Sequence, residues 1–243
     1  AHSLYIDGVL IPVEFLVNHR TILWDDRARE VEIYHIELDS HDVLLANRAP
    51  AETYRDDGNR WLFQNANAGW DLPAKGPCAE VLTGGPVVDA VWRRLLEACG
   101  PRPSVPLTAE ADVHLVVDGV RVDGVRTGEI HVFAVNASDG VRLVSRSAVP
   151  QELGLARDPR CLGVAVRRMS IRQGTHFRTI RGDDARLTDG FHAFEPGTAL
   201  RWTDGDATLP AALFAGFSRP CELVIHLGGT ASYIDDGAAE KVA

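Results

Sequence analysis

Cysteine is scarce in this chain: four in 243 residues, at Cys78, Cys99, Cys161 and Cys221, with no C-x-x-C pair among them. That excludes the spacing of a zinc ribbon or a dithiol redox centre. Free cysteine behaves as a small hydrophobe, so the four are expected to be structural and mostly buried thiols. Long apolar runs are missing too. The longest are short and broken by charge, and residues 1–10 carry neither a basic n-region nor an apolar signal core. No membrane span and no signal peptide is expected from such a pattern. Positive charge is in the minority, with Lys+Arg 25 against Asp+Glu 34 and a net charge of -9. No basic stripe interleaved with aromatics appears, and an electrostatic nucleic-acid footprint is therefore set aside. No repeat of fixed period, low-complexity tract, metal motif or cofactor fingerprint is present, so neither metal nor cofactor is expected. The cysteine usage is compatible with both cytoplasm and secretion.

What the chain does have is enough apolar residues, 45% of the total, for one large domain or two small ones. Strand signals dominate. Runs of four to eight β-branched and apolar residues are broken by Asp-Gly pairs at Asp7-Gly8, Asp118-Gly119, Asp123-Gly124 and Asp139-Gly140. Asp-Gly between such runs favours a tight hairpin, because glycine accepts positive φ without a Cβ clash. Tyr5 to Ile11 and Val113 to Val122 read as hairpins on that ground. Val31 to Leu38 reads as a strand covered on both faces, followed by a second strand at Val43 to Ala46. One helix stands out: Val88, Val91, Trp92, Leu95 and Cys99 recur at spacings of three and four, opened by Pro86 and closed by Gly100-Pro101. Beyond it, Val113–Val117, Ile130–Val135, Val141–Ser145, Leu162–Ile171, Leu200–Trp202 and Leu223–Leu227 are strand candidates whose spacing suggests an antiparallel sandwich.

The stretches rich in Asn, Gly and Pro before the helix, and the three prolines at Pro101 to Pro106 after it, read as linkers. The expected fold is mainly β, in three parts: a β-unit over 1–60, a linker over 61–106 containing helix 86–99, and a β-sandwich over 107–243.

Two blocks in the first part carry a family resemblance. His2-Ser3-Leu4-Tyr5-Ile6-Asp7-Gly8-Val9-Leu10-Ile11-Pro12 with Leu16-Val17-Asn18 resembles the middle block of bacterial Hint (hedgehog/intein) domains, where a histidine introduces a strand, a hairpin and a Pro-containing segment. Tyr34-His35-Ile36-Glu37-Leu38-Asp39, His41-Asp42-Val43-Leu44-Leu45-Ala46-Asn47 and Ala51-Glu52-Thr53-Tyr54 resemble the closing strands of the same domain. The resemblance implies self-processing. A Cys or Ser at the domain's first residue attacks the preceding carbonyl and turns an amide into a thioester or ester, while the block histidine, here His2, moves the proton. It also implies that the polypeptide upstream is the substrate. The sequence opens one residue before His2, so the family's first strands and its nucleophile lie outside it, and the expectation is an incomplete Hint-like unit that is inactive alone. Ala51-Glu52-Thr53-Tyr54 stands where inteins need a His-Asn pair, so cleavage of hedgehog type is expected rather than splicing. The catalytic candidates are His2, His41 and Asp42, with Asp42 placed to orient His41. An Asp beside a turn more commonly caps backbone donors. His35 and His41 could meet a metal or line the cleft, but they lack a third ligand at metal spacing, and such a pair is more often one core and one turn residue.

A rival reading is a binding module in the second half. Phe191, Glu195 and Trp202 sit in a stretch mixing aromatics with polar loop residues, the combination a carbohydrate site uses for stacking and hydroxyl recognition. Equally, Phe191 and Trp202 fill a sandwich core. A spacer role fits the same residues. No Gly-x-Ser-x-Gly elbow supports an independent hydrolase.

Overall fold

The computed structural model describes residues 2–64, 73, 75–101, 105–136, 140–218 and 220–239. The chain divides into two compact units, 1–101 and 102–243.

In the first unit, β1 (Ser3–Ile6) and β2 (Val9–Pro12) form a hairpin whose tip residues Asp7 and Gly8 have φ of 53° and 88°. Both signs are those of the mirror-image turn that matches strand twist. After a 3-10 turn at Val13–Leu16, β3 (Val43–Ala46) and β4 (Ala49–Glu52) make a second hairpin through Asn47 and Arg48, at φ 52° and 70°. β4 lies beside β1, giving the sheet order β2-β1-β4-β3. Residues 80–82 run parallel along β2: the Leu10 N–H donates to the Glu80 carbonyl at 2.8 Å and the Leu82 N–H to the Leu10 carbonyl at 2.9 Å.

Helix α1 (Pro86–Glu97) packs in this unit rather than acting as a mere connector. Val88 and Val91 join Ile11 and Leu16 in a buried core, flanked by Leu4, Ile6 and Leu95. Each side chain so buried stabilises by about 2 kcal/mol. Trp92 is buried as well, and its Nε1–H donates to the Val17 carbonyl at 2.7 Å. The expected strand at Val31 to Leu38 does not form. Among the described residues the segment joins no ladder, and Val31, Ile33, Tyr34, Ile36 and Leu38 are all exposed. Alternation of residue types suits a strand only where a neighbour offers backbone partners, and here one bond is made, from the Tyr54 N–H to the Ile36 carbonyl at 2.7 Å.

The second unit contains β5 (Leu107–Thr108), β6 (His114–Val117), β7 (Val120–Asp123), β8 (Val125–Thr127), β9 (Ile130–Val135), β10 (Val141–Val144), β11 (Val164–Gln173), β12 (His176–Arg181), β13 (Arg201–Trp202), β14 (Asp206–Leu209), β15 (Cys221–Thr230), β16 (Tyr233–Ile234) and the short helix α2 (Asp236–Ala239). One antiparallel sheet has the order β14-β10-β6-β7, the other β12-β11-β15-β9-β8 with β13 also on β11, and β5 pairs with β16. The inward residues of both sheets, among them Leu115, Leu143, Leu209, Phe133, Met169, Ile171 and Ile225, share one core, which makes the unit a sandwich. Asp118-Gly119 turns the β6–β7 hairpin as expected, at φ 51° and 83°. Asp123-Gly124 does something else. There the chain leaves one sheet for the other, and a Cβ on Gly124 would lie 2.5 Å from the Phe133 ring. Asp139 lies outside the described residues. All four cysteines are free thiols, but three are exposed and Cys221 alone is buried, contrary to the expected burial. Cys78, Cys99 and Cys161 lie outside the strands that build the cores, so packing does not enclose them.

The sandwich closes at a backbone crowding point. The Gly163 N–H donates to the Thr203 carbonyl at 2.7 Å, the Gly163 carbonyl accepts from the Tyr233 hydroxyl at 2.7 Å, and the fully buried Thr203 hydroxyl accepts from the Val164 N–H at 3.0 Å. A Cβ on Gly163 would strike Thr203 Oγ1 and lie 2.7 Å from Gly205 N and 2.8 Å from Ser145 Oγ. Gly163→Ala is expected to destabilise the protein by about 1–3 kcal/mol through overpacking. Gly229→Ala, where a Cβ meets nothing within 4 Å, leaves stability nearly unchanged. Paired chemical denaturation of the two variants measures the difference.

Candidate functional site

Immediately before β1, His2 lies at the mouth of an open cleft of roughly 170 Å³ lined by Ser3, His35, Glu52, Thr53, Tyr54 and Asn59, among others. The hairpin sets its position, because the His2 carbonyl accepts from the Val13 N–H at 3.1 Å just past β2. Its Nε2 is 2.7 Å from His35 Nδ1. At that separation one nitrogen carries the hydrogen and the other accepts it, so the two rings share a proton. His35 is half-buried against Tyr54 and Phe63, with ring centroids at 5.4 Å and 4.4 Å. This burial, and then the neighbouring His2, hold the His35 pKa below its ordinary value of 6.5. Near neutral pH His35 is therefore an uncharged imidazole, able to take or pass on a proton.

The segment carrying His35 is held by charge rather than by a ladder. Arg60, buried in a 3-10 turn at Arg60–Leu62, forks onto Glu37 with bonds of 2.8 Å and 2.7 Å and donates its Nε–H to Asp56 at 2.9 Å. Lys75 adds an ion pair to Glu37 at 3.0 Å and a bond to the Leu38 carbonyl. The guanidinium also stands 5.4 Å from the Tyr54 ring centroid. Hydrogen bonding to Arg60, above all, brings the Glu37 pKa down from 4.5 to about 2.

Behind the cleft lies a second group. Glu52, at the end of β4, accepts the Ser3 N–H at 2.6 Å through Oε1, while its Oε2 is 3.3 Å from Nε2 of the buried His41. That 3.3 Å approach is close enough for an ion pair, although Nε2 makes no well-directed hydrogen bond. His41 Nδ1 accepts from the Cys78 N–H at 2.9 Å, so its proton sits on Nε2, facing the carboxylate. Glu52, not Asp42, thus faces the His41 ring. The Asp42 carboxylate accepts the Val43 N–H at 2.8 Å and caps the start of β3, the commoner use of an Asp beside a turn. Although Cys78 is exposed, partial desolvation of its thiol and then nearby Asp42 raise its pKa, which argues against an activated nucleophile there.

The residues of the rival reading are engaged differently. Phe191 packs against the sandwich core. Trp202 is half-buried in β13, opposite Ala165. The Glu195 carboxylate accepts from Arg160 at 3.0 Å and from the Thr198 hydroxyl at 3.2 Å. Among the described residues no group of three or more His, Cys, Asp or Glu side chains could hold a metal ion, and no helix is long and apolar enough to cross a membrane. The sequence reading singled out His2 and His41 but not Glu52, Tyr54, Phe63 or Arg60. No motif or spacing marks these four: Glu52 and Tyr54 line the cleft, while Phe63 packs on His35 and Arg60 holds Glu37.

Two titrations test this geometry. The His35 ring should show an NMR midpoint below 6.5, and His2→Gln should raise it by removing the neighbouring positive charge. Because neutral His35 is favoured in the folded state, the stability this gives is present above pH 6.5 and is lost as the pH falls through the depressed midpoint. The Glu37 contribution is complete above pH 4.5 and is lost as pH falls toward about 2. The Tyr54 amide resonance should register that second step, and Glu37→Gln should abolish it.

No curated protein and no solved structure matches the chain. Residues 2–58, which include β1 to β4, His2, His35, His41 and Glu52, match the model of the family described as the Hint domain.

Proposed function

We propose that the first unit is the proton-transferring part of a Hint-type self-cleaving module whose substrate is its own upstream polypeptide. The observation that carries this reading is the 2.7 Å contact between His2 and His35 at the mouth of the cleft, inside the stretch that matches the Hint domain. In this mechanism an upstream Cys or Ser supplies the nucleophile. Its sulfur or oxygen bonds to the carbonyl carbon of the preceding residue, the C–N bond breaks, and the released amine takes up a proton. The imidazole pair delivers that proton and accepts the one lost by the nucleophile, which a depressed pKa at His35 favours near neutral pH. A thiol or water then cleaves the ester or thioester.

Glu52 and His41 act as positioning residues. Glu52 anchors the Ser3 amide, one residue from His2, and His41 holds Glu52 from behind. Asp42 serves the same end by fixing β3. The second unit is a passenger of the self-cleaving part.

The test uses the full-length gene product, followed by intact mass with and without hydroxylamine or thiol. Cleavage ahead of His2 that depends on the added nucleophile is expected, and His2→Ala should slow it by about a hundredfold. Glu52→Gln should slow it less, with the pH profile unchanged. A precursor that stays whole under both reagents, or that cleaves at the same rate with His2→Ala, would overturn the reading.

A further inference from the structure

The outer face of the six-stranded sheet in the second unit carries a concentration of positive charge with little to balance it. Along β11, Met169 and Ile171 point into the core, so Arg168, Ser170 and Arg172 point out. Arg168 is directly opposite Arg181 on β12 and His226 on β15. The β11–β15 register slips between Val166 and Arg168, and the extra residue, Arg167, is exposed beside Arg168. Such a bulge sets two residues against one on the partner strand. Like charges directly opposite one another destabilise a sheet. Two residues along the same face, Arg172 pairs with Glu222 across the strands, which is how a sheet ordinarily neutralises an arginine. Among the described residues, neither Arg167 nor Arg168 has an ion-pair or side-chain hydrogen-bond partner. Arg181 has one exposed contact, to Asp183 at 3.3 Å.

We infer that Arg167, Arg168, Arg181 and His226 bind a tetrahedral oxyanion, the phosphate or sulfate group of a ligand. A guanidinium fork fits two oxygens of such a group, and charge-assisted bonds of this kind are the strong ones. In the next row Ser170 and Thr179 face each other and supply hydroxyl donors for the remaining oxygens. His226 lies at the edge of the cluster, where burial and then Arg168 lower its pKa, so a bound oxyanion pushes it back up. The inference is independent of the self-cleavage reading, because it concerns no residue of the first unit.

The test is NMR of the His226 ring in the intact chain at constant ionic strength, titrated with inorganic phosphate, then sulfate, then chloride. Phosphate or sulfate is expected to shift the ring saturably and raise its midpoint, and the tighter of the two identifies the ester. Arg168→Gln should weaken binding about tenfold, and Arg167→Gln, at the exposed bulge, supplies a second variant should the first disturb the fold. Arg142→Gln, on the other sheet, should change nothing. No saturable shift, an equal response to chloride, or undiminished binding in both bulge variants would overturn the inference.

Discussion

Arg60 is buried and charged, and a charge in that position is tolerable only when carboxylates meet it in good geometry. Glu37 provides both oxygens and Asp56 a third. The consequence reaches well beyond the pair. Residues 31–38 have almost no backbone partners, and their apolar side chains face outward. The Arg60–Glu37 fork, with Lys75 beside it, ties this segment down two residues from His35.

The rest of the cleft is built in tiers from that constraint. Tyr54 and Phe63 enclose the His35 ring and lower its proton affinity. Glu52 joins the backbone after His2 to a buried histidine reached from the opposite side of the sheet's second hairpin. An exposed His2 and a half-buried His35 thus meet in front of a largely buried support, His41 with Glu52. Asp42, next in sequence to His41, does not face the ring, because its carboxylate accepts the Val43 N–H at the start of β3.

The second unit solves a different problem. Two sheets share a large apolar core, and they meet at Gly163, where backbone, the Thr203 hydroxyl and the Tyr233 phenol crowd together. The core accounts for Phe191, and an ion pair accounts for Glu195. What the core leaves over is the outward face of β11, where a bulge gathers arginines that the sheet itself does not balance.

Local chemistry made much of this legible in advance. Asp-Gly pairs marked two hairpins because glycine accepts positive φ. The spacing of Val88, Val91, Trp92 and Leu95 marked α1 because only a helix brings those residues to one side. The mainly β character was readable for the same reason, from runs and turns within each segment, whereas the first blocks were readable through their resemblance to the Hint family. Other features depended on residues far apart in the chain. β4, Ala-Pro-Ala-Glu, has no strand signature and exists because β1 and β3 flank it. Val31 to Leu38 has the signature but, among the described residues, no partner strand, so it joins no ladder. Glu52 and Tyr54 line the cleft, and Phe63 and Arg60 hold the segment that carries His35, through contacts spanning up to 49 residues. Alternation and turn chemistry are properties of the chain itself, whereas which carboxylate faces which ring is set only when distant segments pack and a buried charge must find its partner.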